Sequence, residues 1–225
     1  MTKKVISALL IGSFVFNLAA CGKESGSQQP QNPPLQAQEQ AGGPAKSTGA
    51  SHRSVFKDSV FLGDSITEGL SFHDVLDEAN VLAGAGKTAE FALEDIDELT
   101  KRSPKQIFIQ LGSDDILWPT DDPKAYSLAH YAALIGSIKE KLPQAKITIL
   151  SVTPVTAERE KEEPRYKNIN DYNQSLKELA DKEQVGFADL SPIVADHPEL
   201  YDGDGIHFQA EFYPFMLDAL KDTVK

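Results

Sequence analysis

Ser59-Val60-Phe61-Leu62-Gly63-Asp64-Ser65-Ile66-Thr67-Glu68-Gly69 is the stretch from which the fold is read. The short apolar run Val60 to Leu62, bounded by polar residues, has the pattern of a buried strand, and the glycine and small polar residues after it turn the chain. Ser65 is thereby expected at the carboxyl end of a strand. In open α/β sheets ligands bind at such ends, and a hydroxyl held on a tight turn there can be presented to a substrate carbonyl while its backbone stays fixed. Taken alone, Gly63-Asp64-Ser65 is also ordinary turn chemistry.

A second stretch, Asp202-Gly203-Asp204-Gly205-Ile206-His207-Phe208, supplies what a serine nucleophile lacks. The hydroxyl needs a base to take its proton, and the base needs a carboxylate to fix its tautomer and stabilise the imidazolium. Asp204 and His207, three apart across a glycine turn, can place the carboxylate on one ring nitrogen and leave the other for Ser65. The order Ser, Asp, His is one of several that support this constellation.

From about Val55 onward the chain resembles the SGNH/GDSL hydrolases, serine esterases and lipases of flavodoxin-like fold. Four blocks carry the resemblance: Gly63-Asp64-Ser65, Gly84-Ala85-Gly86-Lys87-Thr88, Gly112-Ser113-Asp114-Asp115 and Asp204-Gly205-Ile206-His207. The resemblance implies Ser65 as nucleophile, His207 as base, Asp204 as its orienting acid, and an oxyanion hole built from the N–H groups of Ser65 and Gly86. The third block departs from the family's Gly-X-Asn-Asp. Asp114 stands where an asparagine supplies a third donor, and an ionised carboxylate only accepts. Losing one such donor slows turnover by about 10² to 10³, and a carboxylate facing the oxyanion would cost on the order of 4 kcal/mol at ~4 Å near a protein surface. Three arrangements accommodate the departure. Asp114 is held protonated by its surroundings, or it turns away while water or Ser113 substitutes, or the protein is a poor catalyst. The second is the expectation.

Short apolar runs alternate with amphipathic stretches through the remainder, the pattern of a parallel sheet covered on both faces. Strands are expected at Val60–Leu62, Asn80–Ala83, Gln106–Leu111, Ala145–Val152 and Val185–Leu190. The predicted fold is α/β, a flavodoxin-like three-layer α/β/α sandwich on a five-stranded parallel sheet. Ser71 with Asp74 has the spacing of a capping box opening a short helix through Glu78. Thr88 is expected to cap a helix with Ala89, Ala92, Leu93, Ile96 and Leu99 on one face. Asp122 and Pro123 read as N-cap and first position of a helix burying Leu128, Ala132, Ile135, Ile138 and Leu142. A further helix carries Ile169, Tyr172, Leu176 and Leu179, and a last one, near Gln209–Leu220, packs Phe212, Phe215, Met216, Ala219 and Leu220.

The amino terminus has a different character. Lys3 and Lys4 precede an apolar run from Val5 to Phe16 that is too short to span a bilayer, and 1–20 reads as a secretion signal. Leu18-Ala19-Ala20-Cys21 resembles a bacterial lipobox, which implies lipidation of Cys21, the chain's one cysteine, and anchoring at the outer face of the cell membrane. Residues 21–53, rich in Gln, Pro, Gly and Ser, read as a disordered tether able to hold the 54–225 domain roughly 30 Å from the membrane.

Rival motifs fail on spacing. In a P-loop ending at Lys87-Thr88 the first glycine would be Val81, and in a calcium loop starting at Asp202 a ligand would be Ile206 and the terminal acid Tyr213. Ser54-Val55-Phe56-Lys57 lacks the companions of a penicillin-interacting enzyme, and Thr67 breaks the Gly-X-Ser-X-Gly elbow. His52, His73, His130 and His197 stand in no Asp-X-X-His arrangement and read as solvated or packing residues. No zinc ligand set is present, and no cofactor or metal is expected. The formal net charge of -12 argues against a nucleic-acid partner. The run Glu158 to Glu163 reads as a solvated loop, and Trp118 is a candidate for lining an acyl or sugar pocket. The expected function is hydrolysis of a small-molecule or glycan ester through an acyl-Ser65 intermediate, with an O-acetyl ester of carbohydrate or cell-wall material as the substrate class. A lysophospholipase or thioesterase, and a surface lipoprotein that binds an acylated or glycan ligand without turning it over, are the alternatives.

Overall fold

A computed structural model describes residues 48–224. The expected secretion signal, Cys21 and all but the last part of the expected tether lie outside them. Five strands, β1 (Ser59–Gly63), β2 (Val81–Ala83), β3 (Gln106–Gln110), β4 (Lys146–Leu150) and β5 (Gly186–Ala188), form one sheet in the order β2-β1-β3-β4-β5. Every pairing is parallel. Among the described residues eight α-helices accompany them: α1 (Thr48–Val55), α2 (Ser65–Phe72), α3 (Ile96–Arg102), α4 (Pro123–Lys141), α5 (Ala157–Glu162), α6 (Ile169–Glu183), α7 (Ser191–Asp196) and α8 (Phe212–Leu220).

Alternate side chains of a strand point to opposite faces, so a strand buried on both sides is apolar throughout. Val60 and Leu62 of β1 and Ile107 and Ile109 of β3 join one cluster with Leu99 of α3, Leu134 and Ile138 of α4 and Leu176 of α6. Phe61 and Phe108 point the other way, their rings stacked 4.7 Å apart, into a cluster with Leu70 of α2, Val194 of α7 and Phe212, Met216 and Leu217 of α8. This is the expected three-layer sandwich. Its topological switch lies between β1 and β3, where crossovers depart in opposite directions and leave a crevice at the strands' carboxyl ends.

Four local expectations are corrected. The helix after β1 starts at Ser65, not Ser71, because Asp64 caps it by accepting from the Ile66 N–H at 3.0 Å. Ser71 lies in its last turn, with its hydroxyl bonded back to the Glu68 carbonyl. The charged run after β4 is helical, since Thr156 accepts from the Arg159 N–H and caps α5, although none of its residues is buried. In α8 the inward residues are Phe212, Tyr213, Met216, Leu217 and Leu220, whereas Phe215 and Ala219 face outward. Last, the folded unit begins before residue 54. His52 of α1 is buried and bonds Asp218 of α8 at 3.2 Å, and Arg53 pairs with Asp74. Polar pairings across the fold hold this segment, and no apolar periodicity announces them.

Candidate active site

Ser65 is placed by three neighbouring strand ends. Gly63, the last residue of β1, is in register with Ala83 of β2 and Gln110 of β3. The Asp64 N–H donates to the Gln110 carbonyl at 3.3 Å, and the Gly84 N–H donates to that of Gly63 at 3.2 Å. The capping carboxylate of Asp64 then sends the chain directly into α2. Ser65 is therefore the first helical residue, with an N–H that has no intrahelical acceptor and no partner among the described residues.

The loop before α8 brings His207. Its turn is closed by the Asp202 N–H donating to the His207 carbonyl and the Gly205 N–H donating to that of Asp202, at 2.8 and 3.0 Å. The Thr156 N–H donates to the Gly205 carbonyl at 2.9 Å and fastens the loop to the start of α5. Within the turn, Asp204 Oδ1 accepts from the N–H groups of Ile206 and His207, both at 2.9 Å, while Oδ2 lies 2.5 Å from His207 Nδ1. His207 Nε2 lies 2.9 Å from Ser65 Oγ. With Nδ1–H donating to Asp204, Nε2 carries the lone pair that the Ser65 hydroxyl donates to, and this tautomer can take the proton of an attacking hydroxyl. Partial burial pushes the Asp204 carboxyl up, but the ring and the two N–H donors outweigh it and hold the carboxyl down at about 2. Asp204 is thus ionised whenever His207 is poised to accept a proton.

Gly86 sits in the loop after β2 with φ of 75°, a left-handed conformation that favours glycine. Its N–H has no protein partner among the described residues, and Ala85 beside it shares a cleft with Ser65 and His207. The third block behaves differently from expectation. The Ser113 hydroxyl is committed to the Asp64 carboxylate and so does not stand in for the missing amide. The Asp114 carboxyl makes no hydrogen bond among the described residues, although its backbone carbonyl accepts from the Leu117 N–H at 3.0 Å. Burial first, and then the neighbouring Asp115 carboxylate, raise its carboxyl, with His207 opposing. That is the direction of the arrangement in which Asp114 holds a proton. Asp115 is buried, accepting from the Ala89 N–H and the Ser127 hydroxyl, and its second oxygen has no partner. Trp118 is not among the residues that line the cleft at Ser65, and its ring packs edge-on against Phe91 with centroids 5.4 Å apart.

The cleft at Ser65 holds about 330 Å³. One wall is the face of α2 formed by Ser65, Glu68, Gly69 and Phe72; His73, Phe208 and Tyr213 supply further rings, and Asp202 stands on the loop side. Sequence reasoning missed this wall. The signal was present in the helical spacing of positions 65, 68, 69 and 72, but it is legible only once Asp64 is recognised as the cap. Among the described residues no group of three or more His, Cys, Asp or Glu side chains is arranged to hold a metal ion.

Comparison with known proteins follows the same outline. Residues 61–214 match the model of the GDSL-like Lipase/Acylhydrolase family. A GDSL-like lipase from Bacteroides thetaiotaomicron superposes with a TM-score of 0.61 at 21% identity, covering 79% of this chain and 93% of that one. An acetyl xylan esterase gives 0.56 at 18% identity, over 74% and 99% of the two chains. A carbohydrate esterase family 3 protein from Talaromyces cellulolyticus gives 0.57 at 15%, over 74% and 95%. At these identities the likeness is one of fold. An N-acylneuraminate cytidylyltransferase from Escherichia coli O18:K1:H7 is 28% identical over 175 residues, 75% of this chain, which spans only 40% of that protein's length. The family match extends over well more than half of the sequence, and with it the chain belongs to the GDSL-like lipase/acylhydrolase family.

Proposed function

We propose that the protein is a serine ester hydrolase in which Ser65 is the nucleophile, His207 the general base and acid, and Asp204 the residue that orients and charges the imidazole. The observation that carries this reading is the continuous line from Asp204 Oδ2 through both nitrogens of His207 to Ser65 Oγ, at 2.5 and 2.9 Å. Ser65 Oγ attacks the ester carbonyl carbon as its proton passes to His207 Nε2. The N–H groups of Ser65 and Gly86 stabilise the oxyanion. His207 returns the proton to the departing alkoxide, which leaves as the alcohol. Water, deprotonated by the same imidazole, then attacks the acyl-Ser65 ester, releases the carboxylic acid and restores the hydroxyl.

The proposed substrates are short-chain esters, in particular O-acetyl groups on carbohydrate or cell-wall material. The cleft's modest volume and the kinship of fold with an acetyl xylan esterase and a carbohydrate esterase support that choice. The lipobox-like Leu18-Ala19-Ala20-Cys21 supports export and lipid anchoring at the outer face of the cell membrane. Hydrolysis of p-nitrophenyl esters from acetate to long chains, with Ser65→Ala in parallel, tests the reading. Turnover that prefers acetate and falls by about 10⁴-fold or more in the alanine variant is the expected result. A preference for long chains would redirect the assignment to a lipid hydrolase. One observation, a carboxyl at Asp114 where the family has an amide, favours a second reading as a weakly catalytic binding lipoprotein, and absence of Ser65-dependent turnover on every ester would select it.

A further inference from the structure

The geometry points to a substrate ester that carries an alkylammonium group, seated beside Ser65 among Glu68, Asp202, Phe72, His73 and Tyr213. This rests on the proposed role of Ser65 and adds the charge of the substrate to it. Two carboxylates border the cleft. Glu68 is exposed one helical turn from Ser65, and Asp202 precedes the His207 loop. Neither is paired with a lysine or arginine, and the cleft lining contains no lysine or arginine at all. The Asp202 carboxylate accepts only the neighbouring Gly203 N–H.

Aromatic rings line the same cleft as the two carboxylates. Phe72 is 81% exposed, an uncommon position for a phenylalanine. Its ring meets that of His73 at a centroid distance of 5.0 Å, and His73 in turn lies 5.3 Å from Tyr213. Aromatic faces backed by carboxylates attract alkylammonium groups and exclude anions, through the ring quadrupole and through charge.

Tyr213 supplies an independent sign of a ligand. The residue is 2% exposed and lines the cleft, yet its hydroxyl has no hydrogen-bonding partner among the described residues. The ring is buried but the hydroxyl oxygen is not sealed off, so it is free to bond a molecule seated in the cleft. Room for this hydroxyl is made by Gly69, where a Cβ would lie 1.7 Å from it. Burial, with the Asp64 carboxyl nearby, keeps the phenol protonated and therefore a donor. It is placed to donate to an oxygen of the same substrate.

The test compares acetylcholine with 3,3-dimethylbutyl acetate, its uncharged isostere, at low ionic strength. The expected result is a kcat/KM about tenfold higher for the charged ester, with the ratio falling about threefold in each of Glu68→Gln and Asp202→Asn and falling also with added salt. A ratio near one, with both esters cleaved in a Ser65-dependent manner, overturns the inference and leaves the esterase reading standing. If neither ester is cleaved, the esterase reading fails, and calorimetry of choline with Ser65→Ala still decides the inference. Binding that weakens in the Glu68→Gln and Asp202→Asn backgrounds upholds it, and no binding overturns it.

Discussion

On the solvent side of Ser65, the side chains of Asp204 and His207 are 49% and 41% exposed, and every bond that Asp204 accepts favours its ionised form. On the protein side, Asp64 and Asp115 are buried to 1% and 2% exposure with Asp114 beside them, and the bonds they accept do not offset the loss of water. Burial raises the Asp64 carboxyl to about 7, against the Ser113 hydroxyl and the Ile66 N–H and with help from Asp114 and Asp115. Three neighbouring carboxyls share few donors, and each is shifted toward its neutral form. One carboxylate near the serine is thus held in its charged form by donors, while burial shifts the others the opposite way. Burial and hydrogen-bond supply, more than distance from Ser65, separate the two behaviours.

The contrast is most directly broken at Asp204. Replacing it with asparagine removes the charge that holds the imidazole in its accepting tautomer, and kcat on p-nitrophenyl acetate is expected to fall by about 10² to 10⁴. The half-exposed setting places the loss toward the lower end. At Asp114 the opposite sign is expected. Asp114→Asn restores an amide donor and thins the carboxyl cluster, so kcat at pH 8 should rise about tenfold or more. An unchanged rate would show that this side chain does not face the oxyanion.

Asp64 sharpens the comparison through stability. Its carboxyl titrates near the ordinary value of about 3.9 in an unfolded chain and at about 7 in the fold. Between these values the folded protein keeps a proton that the unfolded chain has released. The Asp64 contribution to stability is therefore full below about pH 4, falls as pH rises, and is lost above about pH 7. Urea unfolding at pH 5 and pH 8 should show the wild type losing about 2–4 kcal/mol more across that interval than Asp64→Asn. The smallest effect is expected at Trp118. Because it packs on Phe91 and does not line the cleft, Trp118→Ala should change kcat/KM for p-nitrophenyl acetate less than about threefold.

Much of this was legible from residue patterns. The strands were found because parallel strands buried on both faces must be apolar, and α4 because Asp122 and Pro123 mark its start. The Asp204–His207 turn was equally local, three residues of one loop. The start of α2 was missed because Ser71 and Asp74 carry the spacing of a cap while Asp64 carries the bond. The wall formed by Glu68, Gly69 and Phe72 was lost with it. Water or Ser113 was expected to substitute at the oxyanion, but the buried carboxylate of Asp64 claims the Ser113 hydroxyl, a competition between positions 49 residues apart.

The sequence by itself determined the strands, the start of α4, the turn that carries Ser65, the pairing of Asp204 with His207, and the departure at Asp114. These follow from periodicity, turn chemistry and short spacing, which act over a few residues of one chain segment. Only the tertiary structure decided that His207 meets Ser65 across 142 positions, that Asp64 and Asp115 lie beneath the site without enough donors, and that Trp118 stands aside while Phe72 and Tyr213 line the cleft. Burial and proton affinity depend on which distant groups share a volume, and no local pattern encodes that.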